Sequence, residues 1–183
     1  MLMLKYLLII VVFNLQVNKA TNCPSGWIEL NSSCYYFGKT KTTWKKARGL
    51  CQQIGGDLAV PKDRYDNQAI FQTSEKQGLI HPYIGLFREK SDKMFYTIQN
   101  TKPIFTNWHR NEPNNRFGVE DCVHYYYSNS QWNDVPCKYE TSFICQRDYN
   151  FSGPVSSTCL RCICNVESGC RKDVRCGDNG RSC

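Results

Sequence analysis

The chain has 183 residues, 12 cysteines and a formal net charge of +7. That length suits one globular domain with a remainder, and an even, high cysteine count implies disulfides formed in an oxidising compartment. The sequence carries no nucleic-acid motif, so the positive charge argues at most for attraction to anionic surfaces or polysaccharides, not for a nucleic-acid partner.

Lys5 precedes an apolar run from Tyr6 to Phe13, with Leu15 and Val17 beyond and Ala20 as a small residue for cleavage. Residues 1–20 read as a secretory signal peptide. The run is short and broken by Asn14, Gln16 and Asn18, so it does not suit a bilayer span, and no other segment is apolar enough. The expected product is secreted and extracellular. Asn31-Ser32-Ser33 and Asn150-Phe151-Ser152 fit the N-glycosylation rule, which makes Asn31 and Asn150 candidate acceptors. Lys39, Lys41, Lys45, Lys46 and Arg48 gather positive charge and read as a solvated face.

Trp44, Ala47, Leu50, Cys51 and Ile54 recur at helical spacing, and Gly55-Gly56 stops that helix. A second helix is expected from Asp66 to Gln77, with Ala69 and Ile70 toward the core. Tyr83–Leu86, Cys122–Tyr127 and Ser142–Cys145 read as strands. From about Ser91 to Asp121 the pattern is turn-rich, and a long ordered loop in a compact domain is usually functional. The cysteines change from wide spacing (Cys23, Cys34, Cys51, Cys122, Cys137, Cys145) to dense spacing (Cys159 to Cys183). Residues 149–158 between them, with Ser, Gly and Pro, read as a linker.

Glu112, Asn114, Glu120, Asn133 and Asp134 put five oxygen-bearing side chains in what read as two short loops about twenty residues apart. Carboxylate and amide oxygens suit a hard cation such as Ca2+, which takes roughly six to eight of them. Three carboxylates brought together repel unless a cation lies between them. Pro113 separates two of the five, and an X-Pro bond can be cis at modest cost. Taken alone, Glu-Pro-Asn is an ordinary turn sequence.

Its surroundings add Cys23-Pro24-Ser25-Gly26-Trp27, Cys34-Tyr35-Tyr36-Phe37, Gly55-Gly56-Asp57-Leu58, Ile84-Gly85-Leu86, Glu120-Asp121-Cys122-Val123, Trp132-Asn133-Asp134-Val135-Pro136-Cys137 and Phe143-Ile144-Cys145. In order and spacing these segments resemble a C-type lectin domain, spanning residues 21–148. The resemblance implies an α+β fold with two helices, two small antiparallel sheets and a long calcium-binding loop. It also implies disulfides Cys51–Cys145 and Cys122–Cys137, with Cys23–Cys34 closing an N-terminal hairpin, a pairing that cysteine spacing alone leaves open. By the same resemblance, Glu112, Asn114, Glu120, Asn133 and Asp134 ligate one calcium. Two vicinal sugar hydroxyls complete its shell, held by Glu112, Asn114, Glu120 and Asn133; apart from the resemblance, Arg116 just past the motif is a candidate sugar contact. A carboxylate paired with an amide suits a hydroxyl, which both donates and accepts.

The Glu-Pro-Asn order resembles the mannose-type preference, so the expected partners are glycans with mannose-like vicinal hydroxyls on microbial or cell-surface polysaccharides. The resemblance also implies a second calcium in some members of the family, but its places here hold Arg88 and Asn115, with Asp92 as a lone match, and that site is expected to be incomplete. The aromatic residues Trp27, Trp44, Trp108 and Trp132 are expected to be core and loop anchors. A lectin-like domain that binds protein is the rival that keeps the same fold.

The segment Cys159–Cys170, with Glu167-Ser168-Gly169, is similar to the start of invertebrate-type (destabilase-type) lysozymes. That resemblance maps a general acid to Glu167 and its partner to Asp178, the paired carboxylates that glycoside hydrolysis uses. Residues 159–183 cover only part of such a domain, so no hydrolase activity is expected of them. A lectin-targeted lysozyme is the alternative function that this segment raises.

Overall fold

A computed structural model describes residues 22–126 and 129–148. The expected leader, the linker and the cysteine-rich segment lie outside the described residues, and with them Asn150, Glu167, Asp178 and Tyr127. Among the described residues no helix is long and apolar enough to cross a membrane.

Among the described residues, eight strands and two helices follow in the order β1 (Ile28–Leu30), β2 (Ser33–Thr42), α1 (Trp44–Gln53), β3 (Asp57–Leu58), α2 (Arg64–Lys76), β4 (Tyr83–Arg88), β5 (Phe95–Thr97), β6 (Cys122–Tyr125), β7 (Trp132–Val135) and β8 (Thr141–Asp148). A 3-10 turn, Arg116–Gly118, lies between β5 and β6. The fold is α+β, as expected. Its two antiparallel halves, β1-β2-β8 and β4-β6-β7, are joined into one sheet by a parallel pairing of Tyr83 with Phe143. The sheets expected to be separate therefore share one hydrogen-bonded path.

Helix α1 buries Trp44, Ala47 and Cys51 and exposes Lys45 and Lys46, the division that helical periodicity requires. Arg48 departs from the expected solvated face. Its guanidinium bonds Asp57 at 3.1 Å and the Ile98 carbonyl at 3.0 Å. Gly55 ends the helix at φ +82°, a left-handed conformation that costs a glycine little. Helix α2 begins two residues earlier than expected, because Asp63 caps it by accepting from the Asp66 amide at 2.8 Å. Ile70 and Phe71 enter the core, whereas Ala69 is half-buried.

All three expected disulfides are present: Cys23–Cys34, Cys51–Cys145 and Cys122–Cys137. Cys51–Cys145 ties α1 to β8 across 94 residues, and closing so long a loop stabilises by about 4–5 kcal/mol on the chain-entropy account. Trp44 and Trp132 are buried, and Trp108 packs edge-on against Trp132 with ring centroids 5.7 Å apart. Trp27 packs on Tyr36, so all four tryptophans serve as anchors.

The turn-rich segment between β4 and β6 has little regular structure beyond β5 and the 3-10 turn. Lys93, Asn100, Asn111, Asn115 and Phe117 all take positive φ there, so tight turns shape it rather than a repeating ladder.

Candidate functional site

The site is built on β7. Trp132-Asn133-Asp134 forms a strand and not the loop expected from sequence, because it pairs antiparallel with β6, placing Asn133 opposite His124 and Asp134 opposite Val123. Asn and Asp are poor strand formers, so tertiary contacts supply what propensity does not. The main contact is Asn67, buried on α2. Its Oδ1 accepts from the Trp132 indole N–H at 2.8 Å and from the Tyr125 hydroxyl at 3.0 Å. Its Nδ2 donates to the Ser130 carbonyl at 2.8 Å. The segment leading to Glu112 is fastened to the same strand. Trp132 N donates to the Asn107 carbonyl at 2.7 Å, and His109 N donates to the Trp132 carbonyl at 2.8 Å.

Asp134 is fully buried and lies at the centre of the site. Its Oδ1 accepts from the Asn114 amide at 3.0 Å, and its Oδ2 accepts from the Asn115 amide at 2.9 Å and from Arg88 Nη2 at 2.5 Å. The Glu112-Pro113 bond is cis. Glu112 Oε1 accepts from Asn114 Nδ2 at 2.8 Å, and Oε2 accepts from the Asn114 amide at 3.0 Å. Glu120 closes the other side. Its Oε2 accepts from the Arg116 amide at 2.7 Å, while its own amide donates to Asn115 Oδ1 at 3.1 Å.

Asn133 Nδ2 lies 3.2 Å from His124 Nε2. Burial holds the His124 imidazole neutral, with its pKa lowered to about 3. A neutral ring accepts at Nε2 when its proton is on Nδ1, which leaves Asn133 Oδ1 and the second amide hydrogen available.

Glu112 and Glu120 each feel the negative charge of Asp134. Partial burial, followed by the hydrogen bond and the negative charge of Asp134 and then the charge of Glu120, pushes the Glu112 carboxyl up to about 7. Burial and the Asp134 charge also raise Glu120, opposed by the Arg116 amide and the charges of Arg116 and Arg88. Among the described residues no three or more carboxylate, imidazole or thiolate groups converge as a closed metal cluster. The site pairs carboxylates with amides and backbone donors instead.

Thus Glu112, Asn114, Glu120, Asn133 and Asp134 are linked through Asn114, Asn115 and Asp134, except that Asn133 joins through the strand and His124. Arg116 is exposed on the rim, its guanidinium 5.0 Å from the centre of the Phe117 ring. Asp92 lies apart from this network. It accepts from the Tyr96 hydroxyl at 2.6 Å and the Met94 amide at 3.0 Å within its own turn. His109 stacks on Tyr126 at 4.3 Å and makes no contact suited to catalysis. Sequence reasoning did not find the roles of Asn67 and His124. Strand register places His124 beside Asn133, and the packing of α2 on the sheet places Asn67 beside Trp132.

A family model described as Lectin C-type domain matches residues 40–147, which include every one of the five positions. The chain belongs to the C-type lectin domain family. The lectin domain is 34% identical over 128 residues to Collectin-11 of Danio rerio, covering 69% of this chain and 47% of that protein. It is 31% identical over 130 residues to a Perlucin-like protein of Mytilus galloprovincialis, covering 68% of this chain and 82% of that one. The cow CD23 carbohydrate-recognition domain, solved in the presence of a GlcNAc2Man3 oligosaccharide, superimposes with a TM-score of 0.62 and 30% identity, over 69% of this chain and 95% of that one. The chain spans about half the length of Collectin-11 and similar curated relatives. Two of the lectin domain's disulfides, Cys51–Cys145 and Cys122–Cys137, lie wholly within the matched residues.

Proposed function

We propose that this is a secreted, calcium-dependent lectin of mannose-type specificity, acting on microbial or other cell-surface glycans. Calcium would be held by Glu112, Asn114, Glu120, Asn133 and Asp134. The observation that carries this reading is the linkage of Glu112, Glu120 and Asp134 through Asn114 and Asn115, which gathers three carboxylates and their partner amides in one place, where burial first and then the neighbouring Asp134 and Glu120 raise Glu112 to about 7. Such crowded negative charge favours a divalent cation. The donors are all oxygens, carboxylate and amide, as a hard cation prefers. When bound, calcium would supply a Lewis-acidic centre for two vicinal hydroxyl oxygens, completing a shell of six to eight ligands.

The chain's own residues would then orient the sugar. Glu112 and Asn114 already stand side by side, so one hydroxyl can donate to the first and accept from the second. Glu120 and Asn133 offer the same pairing for the neighbouring hydroxyl, and the amide hydrogen of Asn133 not given to His124 is the donor there. Arg116 on the rim would meet the next part of the glycan. Asn133 and Asp134, on a strand fastened through Trp132 and Asn67, would be the fixed side of the site. Three disulfides support export through an oxidising route, and the mannose-containing oligosaccharide present with the cow CD23 domain supports the ligand class.

A glycan array probed with and without calcium tests this reading. Calcium-dependent signal on mannose, glucose, N-acetylglucosamine or fucose termini is expected. Exchanging the motif by Glu112→Gln with Asn114→Asp gives Gln-Pro-Asp, the order that the same family resemblance associates with galactose, and should shift preference that way; an unchanged mannose preference would contradict the assignment. Binding only to protein spots, with no glycan signal, would favour the protein-binding rival.

A further inference from the structure

We propose that Arg88 is a built-in cation that organises the candidate site, holding residues 112–121 against β7. Arg88 ends β4, and only 12% of its side chain is exposed. Each of its guanidinium nitrogens has a partner. Nη2 bonds Asp134 Oδ2 at 2.5 Å, Nε donates to the Glu120 carbonyl at 3.3 Å and faces Asp121 Oδ1 at 3.6 Å, and Nη1 donates to the Lys93 carbonyl at 3.2 Å. The flat face lies 4.3 Å from the centre of the Phe95 ring. The backbone adds a bond from the Arg88 amide to the Asp121 carbonyl at 2.8 Å. One side chain therefore joins the turn after β4, strand β5, the segment before β6, and β7.

Among the described residues, the ion pairs that reach this region are both made by Arg88. The consequence runs through Asp134. Its carboxylate is fully buried and orients the Asn114 and Asn115 amides. Those residues in turn position Glu112 and Glu120. Without Arg88, Asp134 would be a buried charge with only two neutral donors, and a buried charge left unpaired is strongly unfavourable. A planar fork of five N–H donors serves several acceptors at once, which a lysine ammonium cannot reproduce from one position. Arg88 is thus a positioning residue that supplies a permanent positive charge. The clamp is made by the chain's own groups and does not rest on the sugar reading.

Hydrogen exchange of the full chain in chelator tests it, with no calcium or glycan present. In the unaltered protein the amides of Asn114, Asn115 and Arg116 should be protected. Arg88→Gln, which keeps most of the stem against Phe95, should speed their exchange by at least about tenfold, with Arg88→Lys intermediate. The β2 and β8 amides should stay within about twofold of the parent, since they lie in the other half of the sheet. Unprotected amides at 114–116 in the parent, or unchanged exchange there in Arg88→Gln, would overturn the proposal. An equal rise across β2 and β8 would also overturn it, because that is global destabilisation. If Arg88→Gln does not fold, Arg88→Lys carries the test, and parent-like exchange at 114–116 overturns it. Failure of the lectin reading would appear in the calcium-dependent array instead, not in this exchange pattern.

Discussion

Asn67→Ala should destabilise the domain by about 2–3 kcal/mol while leaving its surface unchanged. Asn67 is 1% exposed, and its Oδ1 is the acceptor for the fully buried Trp132 indole N–H. Losing that acceptor leaves a buried donor unsatisfied, which costs about 1–3 kcal/mol. The Tyr125 hydroxyl also loses a bond, but it keeps the Asn67 backbone carbonyl at 3.2 Å. Ser130's carbonyl keeps the Asn107 side chain at 2.9 Å. These two losses are therefore partly made good, and the indole dominates. Urea denaturation in chelator, with disulfides intact, measures the effect. Trp132→Phe removes the indole N–H, so the cost of Asn67→Ala should fall by about 1–2 kcal/mol in that background. Additivity of the two substitutions to within about 0.5 kcal/mol would refute the reasoning, as would a single-variant cost below that value.

Phe117→Gly should stabilise the chain by up to about 1 kcal/mol, since Phe117 is 84% exposed and its φ of +60° is unfavourable for a side chain with Cβ; a melting curve checks this, and a loss of stability would mean that the ring packs usefully. In the metal-free protein Glu112 binds its proton more tightly folded than unfolded, so its contribution to stability is complete below about 4.5 and is lost as pH rises toward about 7. Calcium binding should show the opposite slope, weakening as pH falls through that range because the ligand must be deprotonated, and calcium titrations from pH 5 to 8 measure it. A calcium affinity independent of pH over that range would count against Glu112 as a ligand.

Much of the scaffold is legible in the sequence for local reasons. Trp44, Ala47 and Cys51 mark α1 because a helix reads residues three and four apart, and Gly55 marks its end. Strand β7 was hidden because Trp-Asn-Asp has turn-like composition. What makes it a strand is register with β6 and the hydrogen bond that Trp132 donates to an Asn 65 residues away. Strand β2 was also missed, since Gly38 and the Lys-Thr alternation after it blur the apolar pattern of Tyr35 and Phe37. The five candidate ligands were nameable from residue type and resemblance. That Arg88 grips Asp134 across 46 residues was not, because nothing local in either stretch encodes their meeting.

The proposed function requires that one calcium, held by Glu112, Asn114, Glu120, Asn133 and Asp134, let this domain bind a mannose-type sugar. Calorimetric titration of a mannoside into the protein, once with calcium and once with chelator, tests it most directly. Saturable binding with calcium and none with chelator is the predicted result. Equal binding in chelator, or no mannoside binding with calcium, would contradict it.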